Sequence, residues 1–177
     1  MINYQEYGRA LFLVGEERGT LKDIYEDAEA LSRVLAENSA YIRLMDTPAL
    51  PTEEKCTLID RAFGSLNRDL VSFVKILTER RSFYLFERAI AAYRTLYDER
   101  LGILPVEAVS AVPLTEKQRS ALSAKLAAKT GKHIRLTNTT DPTVLGGLLL
   151  RYDGKQIDGT LAVRLEKLNQ ALSNIIV

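Results

Sequence analysis

The spacing of apolar residues changes near Gly102, and this change restricts the chain to a fold with two different parts. Before Gly102, apolar positions recur every three or four residues, as in Tyr4, Tyr7, Leu11 and Val14, which stacks them on one helical face. After Gly102, "ILPVEAVSAV" combines β-branched residues, alternation and a proline, a pattern that predicts a strand. The predicted fold class is therefore α+β.

The part before Gly102 contains further segments with helical spacing, separated by short connections. They are "RGTLKDIYEDAEALSRVLAEN", "SAYIRLM", "CTLIDRAFGSL", "NRDLVSFVKILTERR" and "YLFERAIAAYRTLYDERL". Together with the first segment they predict about six helices, and the short connections favour a compact bundle. We therefore assign residues 1–104 to an N-terminal six-helix bundle.

The part after Gly102 alternates strands and helices. A helix begins near Pro113 and ends at Gly131, "HIRLTN" forms a second strand, and a hairpin provides a third. A closing helix carries apolar residues that step by four and three, namely Leu161, Leu165, Leu168, Leu172 and Ile175. We therefore predict a small C-terminal α/β domain over residues 105–177, with the order β-α-β-β-α.

The stretch "DPTVLGGLLLRYDGKQIDGTL" carries four glycines that either hold a ligand or shape the chain. A dinucleotide fingerprint needs G-x-G-x-x-G, and this stretch does not supply that spacing. A phosphate loop needs four residues between its glycines, whereas six separate Gly147 from Gly154, and Lys155 is followed by Gln156. Alternating residues around an Asp-Gly pair predict a hairpin instead. The glycines are therefore interpreted as structural.

The residues that usually carry catalysis or bind metals are sparse and scattered. His133 is the only histidine and Cys56 the only cysteine, and they lie in different predicted domains. A metal site needs clustered ligands, and a nucleophile needs an adjacent base. The chain also has no apolar run of about 18 residues and no signal-peptide pattern. We therefore predict a cytoplasmic, non-catalytic protein without a cofactor or a metal.

Charge is distributed unevenly between the two parts. Residues 1–104 carry 14 basic and 17 acidic side chains, a net charge of −3, whereas residues 105–177 carry 10 and 6, a net charge of +4. The basic part supports an alternative hypothesis, a small nucleic-acid-binding or protein-binding adaptor. Nucleic-acid binding normally adds exposed aromatic residues, and Tyr152 is the only aromatic residue after Gly102. The sequence therefore favours protein partners over nucleic acid.

Several segments resemble one known family in the same order along the chain. "YGRALFLVGEERGTL", "EEKCTLIDRAF", "LVSFVKILTERRSFYLFERAIAAYRTLYDERLGILPVEAVSAVPLT" and "DPTVLGGLLLRYDGKQIDGTLAVRLEKL" resemble the delta subunit of proton-translocating ATP synthases, related to the mitochondrial oligomycin-sensitivity-conferring protein. Gly8 stands where that family often has alanine. The resemblance implies a non-catalytic stator subunit that links the catalytic head to the peripheral stalk, so that rotor torque drives ATP synthesis.

The resemblance also implies two partners and a location. The N-terminal bundle would receive the N-terminal helix of the alpha subunit in a groove between its first and fifth helices, and residues 105–177 would bind the peripheral-stalk b subunits. The complex would hold the chain peripherally on the cytoplasmic side of a bacterial cell membrane. Candidate groove residues on these two helices are Tyr7, Leu11, Val14, Val71, Val74 and Thr78. The same spacing also serves a buried core, so both roles stay open for them.

Overall fold

A computed structural model of the chain describes residues 3–144, 146–161 and 163. The α+β class is confirmed, with a helical N-terminal part and a C-terminal sheet. The contacts divide the chain into two compact units, residues 1–97 and 98–177. Helices of the first part are α1 (Tyr4–Arg18), α2 (Leu21–Glu37), α3 (Ser39–Asp46), α4 (Thr52–Phe63), α5 (Arg68–Glu79) and α6 (Phe86–Leu101), with a single 3-10 turn at Phe83–Leu85.

The ends of α1 follow the rules of helix capping. At its start, the Asn3 side chain accepts a hydrogen bond from the Gln5 backbone N–H, which satisfies one of the free donors of the first turn. At its end, Gly19 adopts the left-handed conformation with φ of +69°, where glycine has no steric penalty. The capped helix therefore stops at a defined place, and α2 begins two residues later.

The core of the helical part lies under the apolar stripes that the sequence predicts. Ile24, Leu31 and Leu35 of α2 are buried, as the spacing of apolar residues in this segment indicates. The Tyr93 hydroxyl donates a hydrogen bond of 2.7 Å to the backbone carbonyl of Leu21, so this buried polar group is satisfied. Burial raises the pKa of Tyr93, and nearby Tyr97 adds to the effect. The phenol therefore stays protonated and remains a donor.

Gly8 is a contact position between α1 and α6. A Cβ atom at residue 8 would lie 2.4 Å from the carbonyl oxygen of Ala89 and 2.8 Å from the Cβ of Ala92. Both distances are shorter than van der Waals contact, so the missing side chain lets the two helices approach closely. The absence of a side chain at Gly8 thus sets the local distance between α1 and α6.

Lys55 is a buried lysine in the helical part. Its side chain lies on α4 and is 3% exposed. The Nζ atom donates hydrogen bonds of 2.7 Å to the Met45 carbonyl and 2.5 Å to the Thr47 carbonyl, at the C-terminal end of α3. Carbonyl groups at a helix end carry partial negative charge and have no partner within the helix. Lys55 therefore closes α3 and ties it to α4.

The second unit is built on a mixed sheet flanked by a helix. Its elements are β1 (Ile103–Ser110), α7 (Glu116–Thr130), β2 (His133–Thr140), β3 (Leu149–Tyr152) and β4 (Lys155–Asp158). The strand order is β2-β1-β3-β4, in which β1 and β2 are parallel and the other two pairs are antiparallel. α7 makes the crossover that a parallel pair requires. A capping box between Thr115 and Gln118 starts α7, and Gly131 ends it.

The last turn of α6 belongs to this second unit. The Asp98 side chain is 10% exposed, and its carboxylate forms an ion pair of 2.8 Å with Arg135 on β2. A carboxylate that is so well buried needs such a partner, because an unpaired buried charge is costly. The ion pair therefore joins Asp98 to β2 within the second unit.

The hairpin differs from its prediction in one respect. The sequence pattern predicts one strand there, and so three strands in the sheet, but both arms of the hairpin, β3 and β4, are paired, so the described sheet has four strands. All four residues of β4 are exposed, so no apolar alternation marks it in the sequence. β4 is held by its backbone pairing with β3.

In the closing helix, Leu161 is described as helical, whereas the predicted apolar positions Leu165, Leu168, Leu172 and Ile175 lie outside the described residues.

The glycines of this stretch serve the backbone. Asp153 and Gly154 both have positive φ, at 49° and 67°, which is the geometry of a tight hairpin turn. Gly147 has φ of +86°, and a Cβ atom there would lie 2.4 Å from the Gly159 carbonyl oxygen. The Gly159 N–H in turn donates to the Leu148 carbonyl at 2.9 Å. The two glycine-containing segments therefore lie backbone against backbone, as the structural interpretation expects.

Candidate partner-binding groove

α1 and α5 lie side by side in opposite directions, with an open groove between them. Tyr7, near the start of α1, makes an edge-to-face contact with Phe73, the ring centroids being 6.3 Å apart. Arg18, at the end of α1, pairs with Asp69 at the start of α5. We call the space between them the α1/α5 groove; its volume is about 420 Å³, and it is lined by Ala10, Leu11, Val14, Arg18, Arg68, Asp69, Ser72, Phe73 and Ile76.

The middle of the groove is apolar and partly open. Leu11 and Phe73 form its floor, since they are only 4% and 6% exposed. Val14 is half-buried, and Ile76 is 46% exposed although it is a large hydrophobic residue. An apolar floor with exposed apolar side chains beside it is what an amphipathic helix needs, because the helix can bury the residues of one face there. The groove can therefore bind such a helix.

One end of the groove is charged. Arg18 and Asp69 form an ion pair of 2.5 Å, in which the Asp69 side chain is 12% exposed and that of Arg18 is 59% exposed. Arg68 is exposed beside this pair, and no described residue supplies a carboxylate for it. One acidic and two basic side chains leave this end with a net positive charge.

The structure separates the six predicted groove residues into two sets. Leu11 and Val14 line the α1/α5 groove, and Tyr7 lies against Phe73, which is part of the groove floor. The three residues predicted on α5 are buried: Val71 is 8% exposed, Val74 is 0% exposed and Thr78 is 1% exposed. The Thr78 hydroxyl donates to the Val74 carbonyl at 3.0 Å, so its polar group is satisfied within α5. Val74 and Thr78 therefore belong to the core of the isolated chain.

The residues that α5 presents to the groove were not predicted from the sequence. They include Asp69, Ser72, Phe73 and Ile76; Ser72 and Phe73 lie three and four residues after Asp69, and Ile76 follows them by four and three, so all four share one face of the helix. This face combines apolar and polar residues, whereas the face of α5 that is turned to the core carries the apolar residues Val71 and Val74. A mixed face next to an apolar one is the signal that could have identified them.

A second groove lies on the other side of α1. It separates α1 from α6, has a volume of about 990 Å³, and is lined in part by Glu6, Arg9, Arg88, Ala91 and Thr95. The Arg88 guanidinium lies 5.9 Å from the centroid of the Tyr4 ring, a cation–π arrangement. This α1/α6 groove is larger, and its acidic residue, Glu6, is exposed, whereas Asp69 of the α1/α5 groove is covered by its ion pair.

The second unit presents a polar face on its sheet. Glu107 on β1 accepts a hydrogen bond of 2.8 Å from the Thr139 hydroxyl and pairs with Arg151 at 3.4 Å. Glu107 and Arg151 border a cleft of about 480 Å³ that continues along the hairpin to Lys155 and Gln156. The exposed charges of this face can meet the charged surface of a protein partner.

The reactive groups of the described residues do not form a catalytic arrangement. Among these residues, no three His, Cys, Asp or Glu side chains lie close enough together to hold a metal ion. Burial raises the pKa of the Cys56 thiol, and Glu79 raises it further while Lys75 lowers it. A raised pKa disfavours the thiolate that a nucleophilic cysteine requires. In the part of the chain that is described, no helix is sufficiently long and apolar to span a membrane.

Comparisons with known proteins agree over almost the whole chain. The family model described as "ATP synthase delta (OSCP) subunit" matches residues 4–172. The ATP synthase subunit delta of Moorella thermoacetica is 33% identical over 168 residues, covering 95% of this chain and 94% of that protein. The corresponding protein of Clostridioides difficile is 29% identical and covers 99% of each chain. A chain in the cryo-EM structure of the Toxoplasma gondii mitochondrial ATP synthase hexamer has the same fold, with a TM-score of 0.72, 21% identity and coverage of 97% of this chain and 98% of that one.

Proposed function

The chain belongs to the ATP synthase delta (OSCP) subunit family, and from this premise we propose how its two parts divide the work of a stator. The subunit is a non-catalytic component of ATP synthase that links the catalytic head to the peripheral stalk. We assign residues 1–104, as a six-helix bundle, to the N-terminal helix of the alpha subunit. We assign residues 105–177 to the peripheral-stalk b subunits.

The α1/α5 groove is the observation that carries the head contact. It offers a buried floor of Leu11 and Phe73, with Val14 and Ile76 still accessible beside it. An amphipathic helix that enters the groove removes this apolar surface from water, which stabilises the complex by about 25 cal/mol for each Å² that is buried. Of the six sequence candidates, Tyr7, Leu11 and Val14 are therefore proposed as contact or floor residues. Val71, Val74 and Thr78 are proposed to support the groove from within the core.

The basic second part supports the proposed stalk contact. Residues 105–177 carry a net charge of +4, and Arg151 and Lys155 border the polar cleft of the sheet. Charged surfaces of this kind steer and orient protein partners. Nucleic acid is a poorer partner, because Tyr152 is the only aromatic residue available for stacking in this part.

The proposed location follows from the complex. ATP synthase is membrane-associated, and we propose that the subunit lies peripherally on the cytoplasmic side of a bacterial cell membrane, held there through the other subunits. The bacterial sources of the two relatives named above support this location. Fractionation checks it, because washing conditions that release the catalytic head should release this subunit as well.

The test of the division of labour uses the full chain with two probes, an alpha N-terminal peptide and a soluble b dimer. Saturation with the peptide should leave the affinity for the b dimer unchanged, since separate surfaces bind the two probes. Raising the salt concentration should weaken b binding more than peptide binding, because exposed charge pairs are screened beyond roughly 10 Å at 0.1 M salt.

A fragment of residues 1–104 provides the complementary measurement. It should keep the affinity for the alpha peptide and lose the b dimer, provided that circular dichroism shows native helix content. The fragment of residues 1–104 lacks Arg135, so its Asp98 carboxylate loses its ion-pair partner. A fragment that ends at residue 97 lacks Asp98 as well, and it shows whether this unpaired carboxylate affects binding. If the fragment of residues 1–104 alone bound the b dimer at full strength, the proposed division would be wrong.

A further inference from the structure

The charge at one end of the α1/α5 groove defines the helix that fits it. We propose that Arg68 recognises a carboxylate on the incoming helix, which fixes the register of that helix in the groove; this inference rests on the proposed head contact. The occupant is then an amphipathic helix with an apolar stripe for the middle of the groove. The acidic side chain of that helix lies further along the same face, beyond the apolar stripe.

Arg68 is the available cation at this end of the groove. Arg18 lines the same end, but its guanidinium is already paired with Asp69 at 2.5 Å. The Asp69 side chain is 12% exposed, so Arg18 covers it and little of its negative charge reaches the groove. Arg68 is exposed, lines the groove, and has no partner among the described residues. An arginine in this state offers a planar pair of donors that suits a carboxylate.

The distance between Ile76 and Arg68 along the groove sets where the carboxylate must lie on the incoming helix. Ile76, the exposed apolar residue of the groove, and Arg68 are eight positions apart on α5. At 1.5 Å per residue this separates them by about 12 Å along the helix axis. A helix that lies along the groove must therefore place its carboxylate about two turns from the apolar side chain that packs on Ile76. Such a spacing keeps both side chains on one face of the incoming helix.

The α1/α6 groove lacks this combination of an apolar middle and one basic end. Its walls carry Glu6 as well as Arg9 and Arg88, and Arg88 lies over the Tyr4 ring. Glu6 is exposed and its carboxylate has no ion-pair partner among the described residues, so it repels an acidic stripe. In the α1/α5 groove, by contrast, the carboxylate of Asp69 is covered by its ion pair with Arg18. The separation into an apolar middle and one basic end is thus a property of the α1/α5 groove, and it commits this surface to one kind of occupant.

The experiment is a charge-reversal cycle between the full chain and an alpha N-terminal peptide. Arg68→Glu should weaken peptide binding about tenfold at low salt, because it replaces an attraction by a repulsion at a partly desolvated site. Each acidic residue of the peptide is then changed in turn to lysine. One of these peptides should bind the Arg68→Glu chain within about threefold of the original pair, and it should bind the unchanged chain about tenfold more weakly.

Two variants separate the possible outcomes. Arg61→Glu changes an exposed arginine on α4 outside the groove, and it should bind the peptide with unchanged affinity. Ile76→Asp tests the head contact itself, as argued below. Unchanged binding by Arg68→Glu together with lost binding by Ile76→Asp would overturn the proposed recognition of a carboxylate by Arg68 and leave the proposed head contact intact. A loss in Arg68→Glu that no peptide charge reversal restores would also overturn it. An unchanged chain that fails to bind the peptide would overturn both proposals.

Discussion

Replacing Ile76 with aspartate is expected to lower the affinity for the alpha N-terminal peptide by more than about a hundredfold. The substitution removes an apolar contact from the α1/α5 groove and places a carboxylate where the bound helix would bury it without a partner, at a combined cost of about 3 kcal/mol or more. Because Ile76 is 46% exposed in the free chain, the fold should tolerate the change. Titration calorimetry measures the affinity, and the thermal unfolding midpoint checks the fold.

The matched control is Val34→Asp. Val34 lies on α2, is 47% exposed, and does not line the groove. It should bind the peptide as the unchanged chain does, and Ala91→Glu in the α1/α6 groove should behave in the same way. Leu11→Asp, the substitution that the spacing of α1 would suggest, is less informative because Leu11 is 4% exposed and an aspartate there would disrupt the core. Full affinity in a folded Ile76→Asp chain, or loss in Ala91→Glu alone, would move the head contact away from the α1/α5 groove.

Replacing Lys55 with methionine is expected to destabilise the helical part by about 3 kcal/mol. The change removes two hydrogen bonds from a charged donor and leaves the buried carbonyl group of Met45 and the partly buried one of Thr47 without it. Methionine keeps most of the side-chain volume, so the loss reports the polar contacts rather than a cavity. For a part of about 100 residues, the thermal midpoint should fall by more than about 10 °C.

The control for Lys55 is Lys22→Met. The Lys22 side chain is 75% exposed, and among the described residues it pairs only with Glu26 one turn away, at 3.6 Å. Removing it should change the free energy of unfolding by less than about 0.5 kcal/mol. Similar stability of the two variants would contradict the structural role given to Lys55, whereas alpha-peptide binding by the folded fraction should be the same in both.

Local patterns were sufficient to predict most of the architecture. Apolar residues three or four positions apart mark helices because neighbouring turns bring them together, and this is information within each segment. Gly131 and Gly154 were predicted at a helix end and a turn, and both have positive φ. β4 was not recognised, since "KQID" has no apolar alternation and its strand depends on backbone pairing to β3.

Only a weak sequence signal, the mixed polar and apolar face of α5, distinguishes the groove residues from the core residues of that helix. α5 has apolar residues on most of its circumference, so its spacing alone does not tell which side α1 will leave open. Val74 and Ile76 are both aliphatic and only two positions apart, yet one is 0% and the other 46% exposed. Lys55 gives a similar lesson, because its burial depends on carbonyl groups ten and eight residues away at the end of α3. These outcomes are decided by tertiary packing.

The most direct test of the stator role is proton-driven ATP synthesis in vesicles. One set of vesicles carries the complete ATP synthase complex, and the other carries the complex without this subunit. Without the subunit, the catalytic head should still hydrolyse ATP in solution, but a proton gradient should drive no ATP synthesis, because the head is not held against the rotor. Adding the unchanged chain should restore synthesis, and adding the Ile76→Asp chain should not. Full proton-driven synthesis by a complex shown to lack this subunit would contradict the account.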